Sequence, residues 1–350
     1  MVTRKATHAG SWYTDHGQLL SQQLDNWLGA VPGSTTPIGS ASSQQGHVSI
    51  PTPNARAIIA PHAGYSYSGP AAAWAYKSAD WANAKRVFLL GPSHHYYLTG
   101  AATTACNKYA TPLGDLTVDT ALVQEIQQKW GLETMSKRVD EDEHSLEMHL
   151  PYIYKMLSLY TPPSLPSHSP PDNPNRNNTS FHNDPSSVPL VPIMIGNTDA
   201  AAETRYGSLL APYLSSPSNL FVISSDFCHW GSRFRYTYYQ PADNSPATQL
   251  RSSSRVPRDY PIHESIAAVD HESMDAVESG SHKAFLEQLR ETGNTVCGRH
   301  PIGVFMAAVE KAEGLGEEQG RFRFVRYERS GLVEDVKDSS VSYCSAFAVL

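Results

Sequence analysis

Apolar positions along this chain follow two alternating rhythms. Leu20, Leu24 and Trp27 recur at helical spacing and predict a helix over 15–28. The run Ala57, Ile58, Ile59, Ala60 is continuous rather than alternating, which predicts a buried strand over 55–60 with a small-residue helix over 68–79 behind it. The same grammar repeats. Strands are expected at 86–90, 190–195, 220–224, 321–327 and 340–349. Helices are expected at 119–130, 143–159, 200–214, 263–278, 281–290 and 301–312, with Pro151 bending or interrupting the second of these. Continuous strands separated by amphipathic helices predict an α/β fold: a single domain over 1–350 whose mixed, largely buried central sheet is flanked by helices.

Three stretches break the rhythm. Residues near 32–53, 161–189 and 240–261 are rich in Pro, Ser, Thr, Gly or Asn and too poor in apolar residues to offset the entropy of ordering them, so they are expected as mobile loop insertions. They decorate one fold rather than divide two, because the chemical motifs lie on both sides of each. No internal repeat is present.

Composition narrows the function classes. Hydrophobic residues make up 40% and charged residues 17%, which excludes a disordered polyelectrolyte and allows a sizeable core. The net charge of −7 comes without a basic stripe, which argues against nucleic-acid binding. No apolar run approaches the ~20 residues of a membrane span, so no membrane insertion is expected. The first residues contain Arg4 and Lys5 but no apolar stretch after them, unlike a secretory signal, so a cytoplasmic location is expected, with a nuclear one also compatible. Cys106, Cys228, Cys297 and Cys344 show no short spacing and fit reduced thiols. The overlapping sequons at Asn177 and Asn178 are read as chance on the same ground.

The candidate chemistry lies just after the strands. His62 follows the 55–60 strand, His94 and His95 follow 86–90, and Asp226 and His229 follow 220–224. In open α/β sheets the crevice beyond the carboxyl ends of the strands is where ligands bind, so these side chains are expected to converge. Cys297 stands before the helix expected from Pro301, where the helix dipole favours a thiolate, the nucleophilic and metal-binding form. His144 and Glu147 share a helical face. One histidine after a strand is ordinarily a turn or capping residue, a lone buried cysteine is an apolar filler, and the acidic run 140–143 reads first as a solvated helix start. Three strand-end sites together with a thiol instead point to one shared polar or metal site.

The phrases Thr7-His8-Ala9-Gly10-Ser11-Trp12-Tyr13, Ala60-Pro61-His62-Ala63-Gly64-Tyr65, Gly91-Pro92-Ser93-His94-His95, Asp140 through Tyr152, Ser225-Asp226-Phe227-Cys228-His229-Trp230-Gly231, Cys297-Gly298-Arg299-His300-Pro301 and Asp338-Ser339-Ser340-Val341-Ser342-Tyr343 run in order. Together they resemble the Memo family, named for mediator of receptor-driven cell motility. The resemblance implies a fold similar to the class III extradiol dioxygenases, non-haem iron enzymes that open catechol rings. It implies copper or iron held by His62, His94 and Cys297. A thiol here replaces the dioxygenase carboxylate and favours softer ions. His229 would be the general acid/base, with Asp226 beside it. His95, His144, Glu147, Arg299 and His300 would line or support the cleft.

Two functions follow from the resemblance. One is a redox-linked, metal-dependent oxidoreductase. The alternative is a non-catalytic adaptor that binds phosphotyrosine peptides or another signalling protein, with Arg233 and Arg235 as phosphate forks and Trp230 as a stacking surface. Nucleophilic hydrolysis by Cys297 with His300 is weaker, since residues three apart across a turn need not touch.

Overall fold

The computed structural model describes residues 1–160, 184–242, 245–256 and 260–350. Its centre is a sheet of nine strands: β1 (Ala55–Ala60), β2 (Arg86–Pro92), β3 (Ala101–Thr104), β4 (Glu133–Met135), β5 (Leu190–Ile195), β6 (Asn219–Ser224), β7 (His229–Trp230), β8 (Phe322–Arg329) and β9 (Ser340–Val349). Across the sheet the order is β7-β9-β1-β6-β2-β5-β3-β4, with β8 also paired to β9 along Ser342–Ala348. The four strands β1, β6, β2 and β5 are neighbours and mutually parallel, while β9 and β3 run antiparallel at their two flanks. Every residue of β1, β5 and β6 is buried, as their unbroken apolar runs require in a sheet covered on both faces.

The covering helices come from the predicted segments, with one short addition over Lys137–Asp142. They are α1 (Gly17–Ala30), α2 (Tyr65–Ser78), α3 (Thr120–Trp130), α4 (Lys137–Asp142), α5 (His144–Glu147), α6 (Leu150–Tyr160), α7 (Ala200–Leu214), α8 (Ile262–Glu278), α9 (His282–Thr292) and α10 (Arg299–Lys311). Helix α2 packs on β1, β8 and β9, whereas α10 packs on β2 and β6 and along α7. The helix expected over 143–159 is two pieces. The chain leaves α5 at Met148, and Pro151 falls in the first turn of α6, where its missing N–H leaves no partner unsatisfied.

The low-hydrophobicity segments are tied down where they are described. Ser34–Thr35 pairs with Val48–Ser49, the Ile38 N–H donates to the Phe324 carbonyl, and the Ser42 hydroxyl donates to Glu278. Tyr238–Tyr239 pairs with Thr248–Gln249. Of the 161–189 insertion, only 184–189 fall inside the described residues.

Because β1, β6 and β2 are adjacent and parallel, their carboxyl ends stand side by side. They deliver His62, Asp226 with His229, and His94 to one edge of the sheet. No described helix is long and apolar enough to cross a membrane.

Candidate functional site

His62 leaves β1 with its backbone N–H donating to Asp226 Oδ1 at 2.8 Å. Its Nδ1 lies 2.6 Å from Ser224 Oγ, whose one proton is directed to the Ser145 carbonyl at 2.8 Å. The Ser224 oxygen is therefore the acceptor, so His62 carries its proton on Nδ1 and presents the Nε2 lone pair. His94, after β2, has Nδ1 at 2.9 Å from Glu143 Oε1 and its backbone N–H at 2.6 Å from Oε2. Glu143 is 1% exposed. Burial, which by itself raises a carboxyl, is outweighed by the His94 hydrogen bond and the neighbouring imidazoles, and the group is held down at about 2. An ionised carboxylate only accepts, so His94 too is protonated on Nδ1.

The third imidazole is His144, the first residue of α5. Its ring stacks on His94 with centroids 4.4 Å apart and lies 5.4 Å from the His62 ring. One nitrogen from each of His62, His94 and His144 falls within 4.8 Å of the others. His144 Nδ1 is buried and has no hydrogen-bond partner among the described residues, at 3.5 Å from Glu143 Oε1. Burial first, and then the other imidazoles, push His62 well below the usual histidine range and His144 down to about 3. The His62 and His144 rings are thus neutral at physiological pH, the form that ligates metals.

Cys297 sits in the turn before α10. Its Sγ is 3.2 Å from His62 Nε2 and accepts the Asp226 N–H at 3.1 Å. That approach depends on Gly298, where a Cβ would meet the Ser224 carbonyl oxygen at 2.3 Å. Burial, reinforced by Asp226, pushes the thiol well above its ordinary value, so the dipole argument from sequence is overridden by desolvation. The structure therefore joins His62 and His94 to His144 at ligand distance and brings the Cys297 sulfur to the first of these.

His229 Nδ1 faces two carbonyls, Phe227 at 2.8 Å and Thr295 at 3.1 Å, so it donates there and keeps Nε2 as an acceptor. Asp226 is raised, chiefly by burial, with His229 opposing. Both line a cleft of about 690 Å³ together with the three imidazoles, Trp12, Tyr67, Arg233, Phe234 and Tyr343.

Other expected site residues lie elsewhere. The Glu147 carboxylate takes Arg4 Nη1 at 2.7 Å, the His8 N–H at 2.8 Å, His8 Nδ1 at 2.9 Å and the Tyr13 hydroxyl at 2.9 Å. His300 Nδ1 pairs with Glu203 at 2.6 Å, and Arg299 is exposed on the first turn of α10. His95 lies 5.6 Å from the His144 ring and is exposed. Trp230 is completely buried, its indole N–H donating to Tyr238, and Arg235 is exposed away from the cleft lining.

The acidic run is not a solvated helix start. Asp140 and Glu143 are buried, Asp140 against Arg4 Nε at 2.9 Å, because they project inward three residues apart while Asp142 projects outward. Sequence reasoning also missed Trp12, whose ring lies 4.4 Å from His144 and walls the cleft. The available signal was the 3- and 4-residue spacing of Asp140, Glu143 and Glu147, which in a helix would share one face.

Fold and site together define an α/β protein with a histidine-rich cleft at the carboxyl edge of its parallel strands. The family model for Memo-like proteins matches residues 4–347. Among relatives, the zebrafish (Danio rerio) Protein MEMO1 is 39% identical over 350 residues, covering 100% of this chain and 98% of its own length. Human (Homo sapiens) Protein MEMO1 is 38% identical over 345 residues, 99% and 97% of the two chains. The Caenorhabditis elegans Protein memo-1 homolog is 38% identical over 345 residues, 98% of this chain and 81% of its own. The chain belongs to the Memo-like family.

Proposed function

We propose that this protein is a metal-binding, redox-linked member of its family, holding copper or iron at the strand-end cleft through His62 and His94, with Cys297 and His144 completing the donor set. One observation carries the reading: three imidazoles bring nitrogens within 4.8 Å, and His62 and His94 have Nδ1 held by acceptors so that Nε2 is offered. Imidazole and sulfur donors suit copper and iron better than hard oxygen-seeking cations. A bound ion would supply one-electron redox chemistry. The chain's own residues orient the rings, exclude water on the buried side and place His229 Nε2 as a proton acceptor at the cleft wall, with Asp226 beside it. Likeness to the extradiol dioxygenases belongs to this proposal, as does a cytoplasmic location, which four free thiols support.

Anaerobic titration with Cu(I) and with Fe(II) tests it. Wild type is expected to bind at least one of the ions, and the His62→Ala/Cys297→Ala double variant to lose it. Equal and negligible uptake by both proteins overturns the reading.

The adaptor function is the second reading. Arg233 lies over the Phe234 ring at 4.4 Å and lines the cleft beside Tyr67 and Trp12, so it offers a cation to an anionic aromatic such as phosphotyrosine. Phosphotyrosine peptide titrated against wild type and Arg233→Ala separates it from the first, since metal uptake is unaffected by that substitution.

A further inference from the structure

The geometry points to Glu143 as the positioning residue of the centre: we infer that this one carboxylate sets both the tautomer of His94 and the placement of His144. The inference rests on the metal-centre reading above and adds a residue to it. Glu143 was legible in the sequence only as part of an acidic run, and it is not one of the proposed donors.

Three N–H groups converge on its two oxygens. Oε1 takes His94 Nδ1 at 2.9 Å and the Ser145 N–H at 2.9 Å, and Oε2 takes the His94 backbone N–H at 2.6 Å. The first and third fix His94 at both its backbone and its ring. The Ser145 bond caps the first turn of α5, the four-residue helix that begins with His144. Ser145 in turn donates its hydroxyl to the Pro92 carbonyl at 2.6 Å and accepts at its own carbonyl from Ser224, which holds His62. Gly91 permits this docking, since a Cβ there would meet Ser145 Oγ and a Leu146 methyl at 2.8 Å. A single buried anion therefore stands behind two of the three imidazoles and, through Ser145, adjoins the support of the third.

The alternative is that Glu143 is only a helix cap. A cap requires one acceptor, whereas the His94 ring, the His94 backbone N–H and the Ser145 N–H together require a group that accepts everywhere and donates nowhere. Glutamine is nearly the same size but has one acceptor and one donor. With its NH2 group toward the Oε1 position a donor faces His94 Nδ1–H and the Ser145 N–H, which releases His94 from its single Nδ1–H state; with it toward the Oε2 position a donor faces the His94 backbone N–H, which loosens the turn that places the ring. In the first case the ring can carry the proton on Nε2, the nitrogen an ion needs.

The experiment compares wild type, Glu143→Gln and Glu143→Asp. Ion-free protein labelled with 15N-histidine is read by long-range 1H–15N correlation, which reports the tautomer of each imidazole. Each protein is then titrated anaerobically with Cu(I) and Fe(II) against a competing chelator. In wild type His94 is a single Nδ1–H tautomer. Glu143→Gln is expected to lose either that signature or the backbone anchor of His94, and in both cases to bind the ion roughly 10–100-fold more weakly, the usual effect of removing a group that orients a ligating histidine. Glu143→Asp keeps both acceptors, retains the Nδ1–H tautomer and recovers part of the affinity.

A cap alone predicts the same tautomer and the same affinity in all three, with a change only in thermal stability, and that result overturns the inference. Wild type that binds neither ion overturns the metal-centre reading itself. If the glutamine protein does not fold, the aspartate protein decides. Affinity equal to wild type with His94 no longer an Nδ1–H donor overturns the inference, and reduced affinity with the tautomer kept supports it.

Discussion

Two histidine–carboxylate clusters lie at this end of the molecule, and they are built to opposite ends. In the first, His62, His94 and His144 meet with Nδ1 of two rings engaged and the third Nδ1 without a partner among the described residues. In the second, Glu203 on α7 accepts from His300 at 2.6 Å and His282 at 2.5 Å, and the other nitrogen of His300 lies 3.2 Å from Asn197 Oδ1. The second cluster is buried, the first is buried except toward His94, and both contain a depressed carboxyl. What separates them is unspent nitrogen lone pairs. The second cluster uses its carboxylate to clasp α7, α9 and α10; the first uses Glu143 and Ser224 to turn lone pairs outward into a cleft. Counting histidines does not distinguish a clasp from a ligand set, but following each proton does.

The largest effect that would break this contrast belongs to the clasp. Glu203→Ala leaves two buried imidazoles without their acceptor and is expected to destabilise the fold by about 3–5 kcal/mol, with Cu(I) or Fe(II) affinity unchanged. Chemical denaturation beside an anaerobic metal titration measures both. A Glu203→Ala protein that loses metal but not stability would reverse the roles assigned to the two clusters. Next comes His94→Ala, expected to lower metal affinity by about 100-fold or more, equivalent to about 2.7 kcal/mol, while stability changes little because this ring is partly exposed. Retained affinity there would remove His94 from the donor set.

Much of this contrast was legible in the sequence, and the reason is topological. Each strand runs within two residues into a polar side chain, after Pro61 in one case, Ser93 in the second and Ser225 in the third, so three adjacent parallel strands had to place His62, His94 and Asp226 on one edge. The long helices and buried strands were readable because their apolar periodicity is strong, as at residues 190–195 and 200–214. The part that could not be read depends on rotamers and long-range pairs. Pro151 suggested a broken helix, but not that the break at Met148 would turn His144 into the cleft and Glu147 away from it. Arg4 and Glu147 are 143 residues apart, and no local pattern links them. The fate of 32–53 was hidden for the same reason: its polar side chains find partners on α8, through Asp275 and Glu278, that its own composition does not reveal.

Acid sharpens the contrast at a smaller scale. The Glu147 carboxyl is held down at about 2: burial opposes this, and the hydrogen bond from His8 and the Arg4 guanidinium overcome it. A carboxyl depressed below its unfolded value contributes stability that is complete above about 4.5 and is lost as pH falls toward 2. For Glu147 the loss is expected to reach about 2 kcal/mol by pH 3. Glu203 is depressed in the same direction, so the closed clusters together should give wild type a steep acid limb. Urea denaturation across pH 3–7 measures it, and in Glu147→Gln the limb should flatten. An unchanged limb would show that these carboxyls are not the groups whose protonation unfolds the protein.

The smallest expected effect tests the contrast most directly, because it alters the proton rather than the ligand. Ser224 is the acceptor for His62 Nδ1–H, and its own proton is committed to the Ser145 carbonyl. Ser224→Ala removes about one buried hydrogen bond at each end, a stability loss of about 1–2 kcal/mol. Freed of that acceptor, His62 can relieve its unsatisfied Nδ1–H by moving the proton to Nε2, where the Cys297 sulfur at 3.2 Å is available to accept it. The lone pair an ion would use is then masked, and metal affinity should fall by roughly tenfold, with the His62 tautomer changed in 15N spectra. Ser224→Thr keeps the hydroxyl and should restore the Nδ1–H form. If alanine leaves both tautomer and affinity as they are, the ring is held by packing alone, and the distinction between an outward-turned ligand set and a closed clasp would have to rest on exposure instead of on where each proton sits.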